Sequence, residues 1–135
     1  MVEPNPLIHQ GAILLVEDDP TFAGYLSKRL AQAGYSVDWA PDGLRALAQM
    51  RRTPPDLLLM DLAVPALDGL SLLRRMREDA ELAPALANLP VIVLTGRFSA
   101  SDVEQATALG VADYIAKPFD ETAFLASIAV HIRKT

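Results

Sequence analysis

The sequence predicts an α/β fold, a parallel sheet with helices on both faces, from two observations. Short continuous apolar runs such as Ile13-Leu14-Leu15-Val16 and Leu57-Leu58-Leu59-Met60 read as strands buried on both sides. Segments of helical period alternate with them to give five strand–helix units, the order that produces a parallel sheet covered on both faces.

Taken in order, residues 12–16 read as the first strand and 21–33 as a helix that Gly34 ends. Residues 36–40 form a second strand. A helix follows from about 43 to 52, with Leu44, Leu47 and Ala48 expected on its inner face, and Pro54-Pro55 stop it. The third strand covers 57–61. A loop carrying Pro65 and Asp68-Gly69 leads into a helix over about 70–79, whose Leu70, Leu73 and Met76 should face the sheet. Residues 80–90, with Pro84, Pro90 and several alanines, read as an extended connection with room for a helical turn. The fourth strand spans 90–95, and Ser99 or Ser101 caps a helix that runs to 109 before Gly110. A short fifth strand, 113–116, precedes Lys117-Pro118. Asp120 then caps a last helix with Leu125, Ile128, Ala129 and Ile132 on its inner face.

The 135 residues suit one domain over 11–135, with 1–10 as a flexible leader that carries Pro4 and Pro6 and no periodicity. A hydrophobic fraction of 51% and a charged fraction of 21% are globular values. The absence of cysteine excludes disulfides, thiolate metal sites and cysteine nucleophiles. With a net charge of −5 and scattered basic residues, the domain is a poor candidate for direct nucleic-acid binding. No Lys or Arg precedes Lys28 and no apolar run nears the roughly 18 residues of a membrane span, so cytoplasmic residence without membrane contact is the expectation.

Polar residues that could carry chemistry fall at the carboxyl ends of strands, where open parallel sheets bind ligands. Glu17-Asp18-Asp19 follow the first strand, Asp61 closes the third, Thr95 the fourth, and Lys117 follows the fifth. Asp19 with Pro20 at the first helical position is sufficient as a helix cap. Glu17 and Asp18 lie between strand and cap, and capping does not explain them. Taken singly, Asp61 could cap its loop, Thr95 could bond its own backbone, and Lys117 could be a solvated loop charge. Jointly, crowded carboxylates call for a hard cation such as Mg²⁺, and a hydroxyl and an ammonium beside them suit phosphate. The set describes a phosphoryl-transfer site.

Val16-Glu17-Asp18-Asp19, the stretch from Asp61 through Pro65 to Asp68-Gly69, Val93-Leu94-Thr95-Gly96, and Ala112-Asp113-Tyr114-Ile115-Ala116-Lys117-Pro118-Phe119 stand in order along the chain. Together they resemble the signatures of the receiver domain of two-component response regulators, over about residues 12–133. The resemblance implies a flavodoxin-like doubly wound sheet of five strands in the order 2-1-3-4-5. It implies that Asp61 accepts a phosphoryl group from the phosphohistidine of a histidine kinase or phosphotransfer protein. It further implies that Asp18, Asp61 and the backbone carbonyl of Ala63 hold Mg²⁺, with Glu17 acting mainly through bound water. Lys117 would neutralise phosphate oxygens, and Thr95 would donate to one of them. Tyr114 matches the family's switch aromatic, and Lys117–Pro118 matches a bond that is often cis. The implied outcome is phosphorylation-driven switching of the face built by the fourth helix, fifth strand and fifth helix, which would contact an output domain or downstream protein. Such a chain is a signalling domain that catalyses at most its own phosphorylation and dephosphorylation.

Ala63 and Arg97 occupy positions that vary in that family and influence the lifetime of the phosphate; Arg97 could reach over the site. The stretch 80–90 is longer than usual. Between Asp120 and His131 the last helix has no basic residue, which disfavours a dimer built on charged pairs there. His9 and His131 read as surface residues. Two competing functions are a receiver-like scaffold that is never phosphorylated and a Mg²⁺ phosphatase with an aspartyl nucleophile. The complete residue set disfavours the first. Ala63 disfavours the second, because such enzymes usually carry another aspartate two positions after the nucleophile.

Overall fold

The structure, a computed structural model, describes residues 10–82 and 84–134. The expected leader, apart from Gln10, and His9 with it, lie outside the described residues. Five strands alternate with five helices: β1 (Ala12–Val16), α1 (Pro20–Gln32), β2 (Ser36–Ala40), α2 (Gly43–Arg52), β3 (Leu57–Met60), α3 (Gly69–Glu78), β4 (Val91–Thr95), α4 (Ala100–Ala108), β5 (Asp113–Ala116) and α5 (Glu121–His131). All pairings are parallel, and the order is β2-β1-β3-β4-β5. No described helix is long and apolar enough to cross a membrane.

The pleat sends alternate residues of β1 to opposite faces. Leu14 and Val16 join a core with α2, α3 and the buried Ala106 of α4. Ile13 and Leu15 join a second core with Ala23, Leu26 and Leu30 of α1 and Phe124 and Ile128 of α5. The central strands β3 and β4 are buried throughout, as their unbroken apolar runs require.

Helix starts at the carboxyl rim are fixed by side-chain caps. Asp19, Asp42, Asp68 and Ser99 each accept from a backbone N–H in the first turn of α1, α2, α3 and α4. Asp120 occupies the corresponding position before α5, but its side chain makes no cap bond, contrary to expectation. Two inner faces also differ from the sequence reading. In α2 the buried residues are Gly43, Ala46, Leu47 and Met50, while Leu44 is 52% exposed and Ala48 is exposed. In α5 Phe124 and Ile128 are buried one turn apart, Leu125 is half-buried and Ala129 faces out. Both helices carry apolar residues on more than one side, so the pattern alone allowed two rotations about the axis.

The stretch after α3 coils through successive turns, Leu82 N–H to Asp79 and Leu86 N–H to Leu82, instead of extending. Leu82, Leu86 and Leu89 are buried and anchor it. Arg77 staples it to the body by donating to the carbonyls of Leu86, Ala87 and Leu109.

Candidate functional site

Strand register brings Asp61, Thr95 and Lys117 to one rim. The Asp61 N–H bonds the Val16 carbonyl at 3.0 Å, continuing the β1–β3 ladder, and the Lys117 N–H bonds the Thr95 carbonyl at 2.9 Å, continuing β4–β5. Glu17 in turn extends β1 by donating its N–H to the Ala40 carbonyl at 3.1 Å. The backbone thus fixes all four residues before any side-chain contact is counted.

Asp61, 9% exposed, is bonded at both oxygens. Oδ1 accepts from the Thr95 hydroxyl at 2.6 Å and the Ala63 N–H at 3.0 Å, and Oδ2 accepts from Lys117 Nζ at 2.9 Å. Lys117 also donates to Glu17 Oε1 at 2.7 Å, so one ammonium serves two carboxylates. Glu17 is 3% exposed, and its other oxygen accepts the Asp19 N–H at 3.0 Å. The Lys117 ammonium lies 4.3 Å from the ring centroid of Phe22 on α1, a favourable cation–aromatic approach.

These surroundings tune the charges. Burial disfavours the ionised form of Asp61, but the bonds from Thr95, Lys117 and Ala63 outweigh it and hold the carboxyl below the usual aspartate range. For Glu17 burial wins over the Lys117 and Asp19 bonds, and the carboxyl rises above the usual range. Burial acts to lower Lys117, yet its bonds to Glu17 and Asp61 leave it raised. Asp61 is therefore an ionised, oriented carboxylate with its donors in place.

Asp18 is exposed, two residues past the end of β1. Among the described residues, no three side chains of the metal-ligating types are gathered tightly enough to form a metal site by themselves. Glu17 and Asp61 face Lys117, and Ala63 meets Asp61 through its N–H. Glu17 and Asp61 are thus joined through Lys117, with the Ala63 N–H on Asp61 and Asp18 next to Glu17 in the chain.

Beyond Thr95 the network continues outward. The Thr95 hydroxyl accepts the Arg97 N–H at 3.1 Å, and the Arg97 carbonyl accepts the Tyr114 hydroxyl at 2.6 Å. Tyr114 packs edge-on against Phe98, with centroids 5.1 Å apart. The Arg97 side chain does not reach over Asp61; it forms a two-pronged pair with Asp102 of α4, at 2.8 and 3.0 Å. The Lys117–Pro118 bond is cis.

Several contributors are invisible to motif reading. Trp39 donates its indole N–H to the Glu17 carbonyl at 2.7 Å. A side chain at Gly43 would collide with the Leu67 carbonyl, and one at Gly69 with the backbone of Asp61 and Leu62, so both glycines admit the loop that follows Asp61. Their Asp-Gly settings at positions 42–43 and 68–69 were the available signal.

The family model of the response regulator receiver domain matches residues 13–129. The chain is 36% identical over 123 residues to the DNA-binding dual master transcriptional regulator RpaA of Synechocystis sp., covering 91% of this chain and 49% of that protein. It is 38% identical to the response regulator MprA of Mycobacterium leprae, covering 91% of this chain and 51% of that one. The chain spans about half the length of the curated relatives it matches. Among solved structures it is similar to the BeF3-activated N-terminal receiver domain of Klebsiella pneumoniae RstA, with a TM-score of 0.80, 30% identity, and 91% and 99% of the two chains covered. The non-phosphorylated HemR receiver domain of Leptospira biflexa gives a TM-score of 0.77 at 30% identity, covering 92% and 97%.

Proposed function

The chain belongs to the response regulator receiver family, and on that premise we propose that Asp61 accepts a phosphoryl group from the phosphohistidine of a histidine kinase or phosphotransfer protein. The observation that carries this reading is the bracketing of the Asp61 carboxylate by the Thr95 hydroxyl at 2.6 Å and the Lys117 ammonium at 2.9 Å. An ionised carboxylate needs no general base. A carboxylate oxygen forms the new bond to phosphorus as the donor's N–P bond breaks, its electron pair passing to the imidazole nitrogen. The acyl phosphate leaves less charge on the carboxyl oxygens, and Thr95 and Lys117 are near enough to turn their hydrogen bonds to phosphoryl oxygens.

The residues fit Mg²⁺, a hard cation taken by oxygen donors. Asp18, Asp61 and the carbonyl of Ala63 would hold it, with Glu17 acting through bound water. When bound, the ion offsets negative charge between the carboxylates and the incoming phosphoryl group.

Withdrawal of the Thr95 hydroxyl toward phosphate would release its bond from the Arg97 N–H, and Arg97 is tied to both Tyr114 and Asp102. These bonds reach α4 through Asp102 and β5 through Tyr114, and they support the face of α4, β5 and the neighbouring α5 as the one that signals to an output domain or downstream protein. The cytoplasmic residence expected from the sequence goes with this reading.

Incubation with acetyl phosphate and Mg²⁺, followed by intact mass measurement, should show one added phosphoryl group that Asp61→Asn abolishes. An unmodified wild-type chain would sink the assignment.

A further inference from the structure

Trp39, the single tryptophan of the chain, sits on the edge strand β2 opposite Leu15 and is 45% exposed. A large ring left half in solvent on a sheet edge gains little of the stabilisation that full burial would give. Its polar atom is nonetheless well used. The indole N–H, which can only donate, meets the Glu17 carbonyl at 2.7 Å. That carbonyl belongs to the peptide joining Glu17 to Asp18. Because a peptide is planar, fixing its oxygen also fixes its N–H and the Cα of Asp18. Glu17 is otherwise held by its N–H on Ala40 and by its side chain on the Asp19 N–H and Lys117. Those contacts hold the near side of the peptide and the residue beyond Asp18. The Trp39 bond sets the tilt between them.

We propose that Trp39 is a positioning residue for the metal side of the site: its indole–carbonyl bond sets the direction from which Asp18 reaches a magnesium ion shared with Asp61. The inference rests on the reading of Asp18 as a metal ligand. Partners that orient metal ligands commonly carry about tenfold or more in metal affinity. Phe at this position keeps an aromatic ring on the strand and removes the donor, at the loss of part of a ring that is 45% exposed.

Calorimetric Mg²⁺ titration of the wild-type chain and Trp39→Phe tests this. The variant should bind Mg²⁺ about tenfold more weakly at an unchanged thermal midpoint. Phosphorylation by acetyl phosphate across Mg²⁺ concentrations should shift its half-saturation point and not its plateau, a split that a general loss of structure would not give. Equal affinity in the two proteins overturns the inference. Wild-type protein that takes up no Mg²⁺ overturns the magnesium reading itself, and this inference with it. Should Trp39→Phe fail to fold, replacing the single tryptophan by its benzothiophene analogue, which keeps the fused rings and lacks the N–H, decides. Weaker Mg²⁺ binding by that protein supports the bond's role, and wild-type affinity overturns it.

Discussion

At the amino-terminal rim of the sheet, Asp56 accepts the Ala12 N–H at 2.8 Å, and Asp113 accepts the Tyr114 N–H at 2.8 Å and the Ser127 hydroxyl at 2.6 Å. At the carboxyl rim, Glu17 and Asp61 are more deeply buried and share the ammonium of Lys117. The first pair are clasps: neutral donors close each acid locally, and little would change if a phosphate came near. The second pair are held by a cation and a hydroxyl that can be handed on to another anion. An acid at a strand end is therefore informative only together with what it bonds.

Removing the shared cation should break the contrast most severely. Lys117→Met leaves two buried carboxylates without their charge partner, which should cost about 3 kcal/mol in urea unfolding and slow phosphorylation by acetyl phosphate about a hundredfold. A variant as stable and as reactive as wild type would show that the ammonium is incidental. The opposite rim should respond differently. Asp56→Ala removes the acceptor of the Ala12 N–H and should cost about 1–2 kcal/mol while leaving the phosphorylation rate unchanged. A slowed reaction there would mean that the two rims are coupled through β1 and β3.

Acid titration separates the two carboxylates within the carboxyl rim. The folded state holds Glu17 above its unfolded range, so ionising it opposes folding: its contribution is greatest at low pH and fades as pH rises through the raised value. Asp61 is held below its unfolded range, so its contribution is present above that range and is lost as pH falls through the lowered value. Glu17 should thus add stability on mild acidification and Asp61 should lose it on stronger acidification. In urea midpoints measured against pH, the difference between wild type and Glu17→Gln should grow in the first range, and that between wild type and Asp61→Asn should shrink in the second. A difference curve that is flat in either variant would contradict the corresponding shift.

How far this was readable from sequence depends on the range of the interaction. Asp61, Thr95 and Lys117 could be placed because strand ends in a parallel sheet converge whatever the details. The caps Asp19 and Ser99 depend only on neighbours in the chain. Trp39 and Phe22 touch Glu17 and Lys117 from other elements, and nothing local in their sequence says which way an edge tryptophan or a helix phenylalanine will point. Leu44 and Ala129 misled because α2 and α5 offer more than one apolar stripe, and the winning rotation is set by the sheet beneath. Arg97 could be read as reaching over Asp61, until the fold brought Asp102 within reach of its guanidinium.

The rims also differ in where backbone strain is carried. Gly34 and Gly110, at turns entering β2 and β5, take left-handed conformations with φ of 100° and 79° and no side chain to object. In the loop after Asp61, Ala66 takes φ of 69°, the one non-glycine residue with positive φ among the described residues. An L-alanine there costs about 1 kcal/mol. The loop is held in that shape by the Gly43 N–H on the Pro65 carbonyl at 3.3 Å, by the Gly69 N–H on the Leu62 carbonyl at 2.9 Å, and by the close approach of Leu67 to Gly43. Asparagine tolerates this conformation, so Ala66→Asn should raise stability by about 0.5 kcal/mol, the smallest effect expected here. The sharper reading is kinetic. If the strain only burdens the fold, phosphorylation by acetyl phosphate should proceed at the wild-type rate in the stabilised variant. A slower rate in that more stable protein would mean that the loop's readiness to move contributes to reaching the transition state, and would place strain as well as charge at the rim proposed to take phosphate.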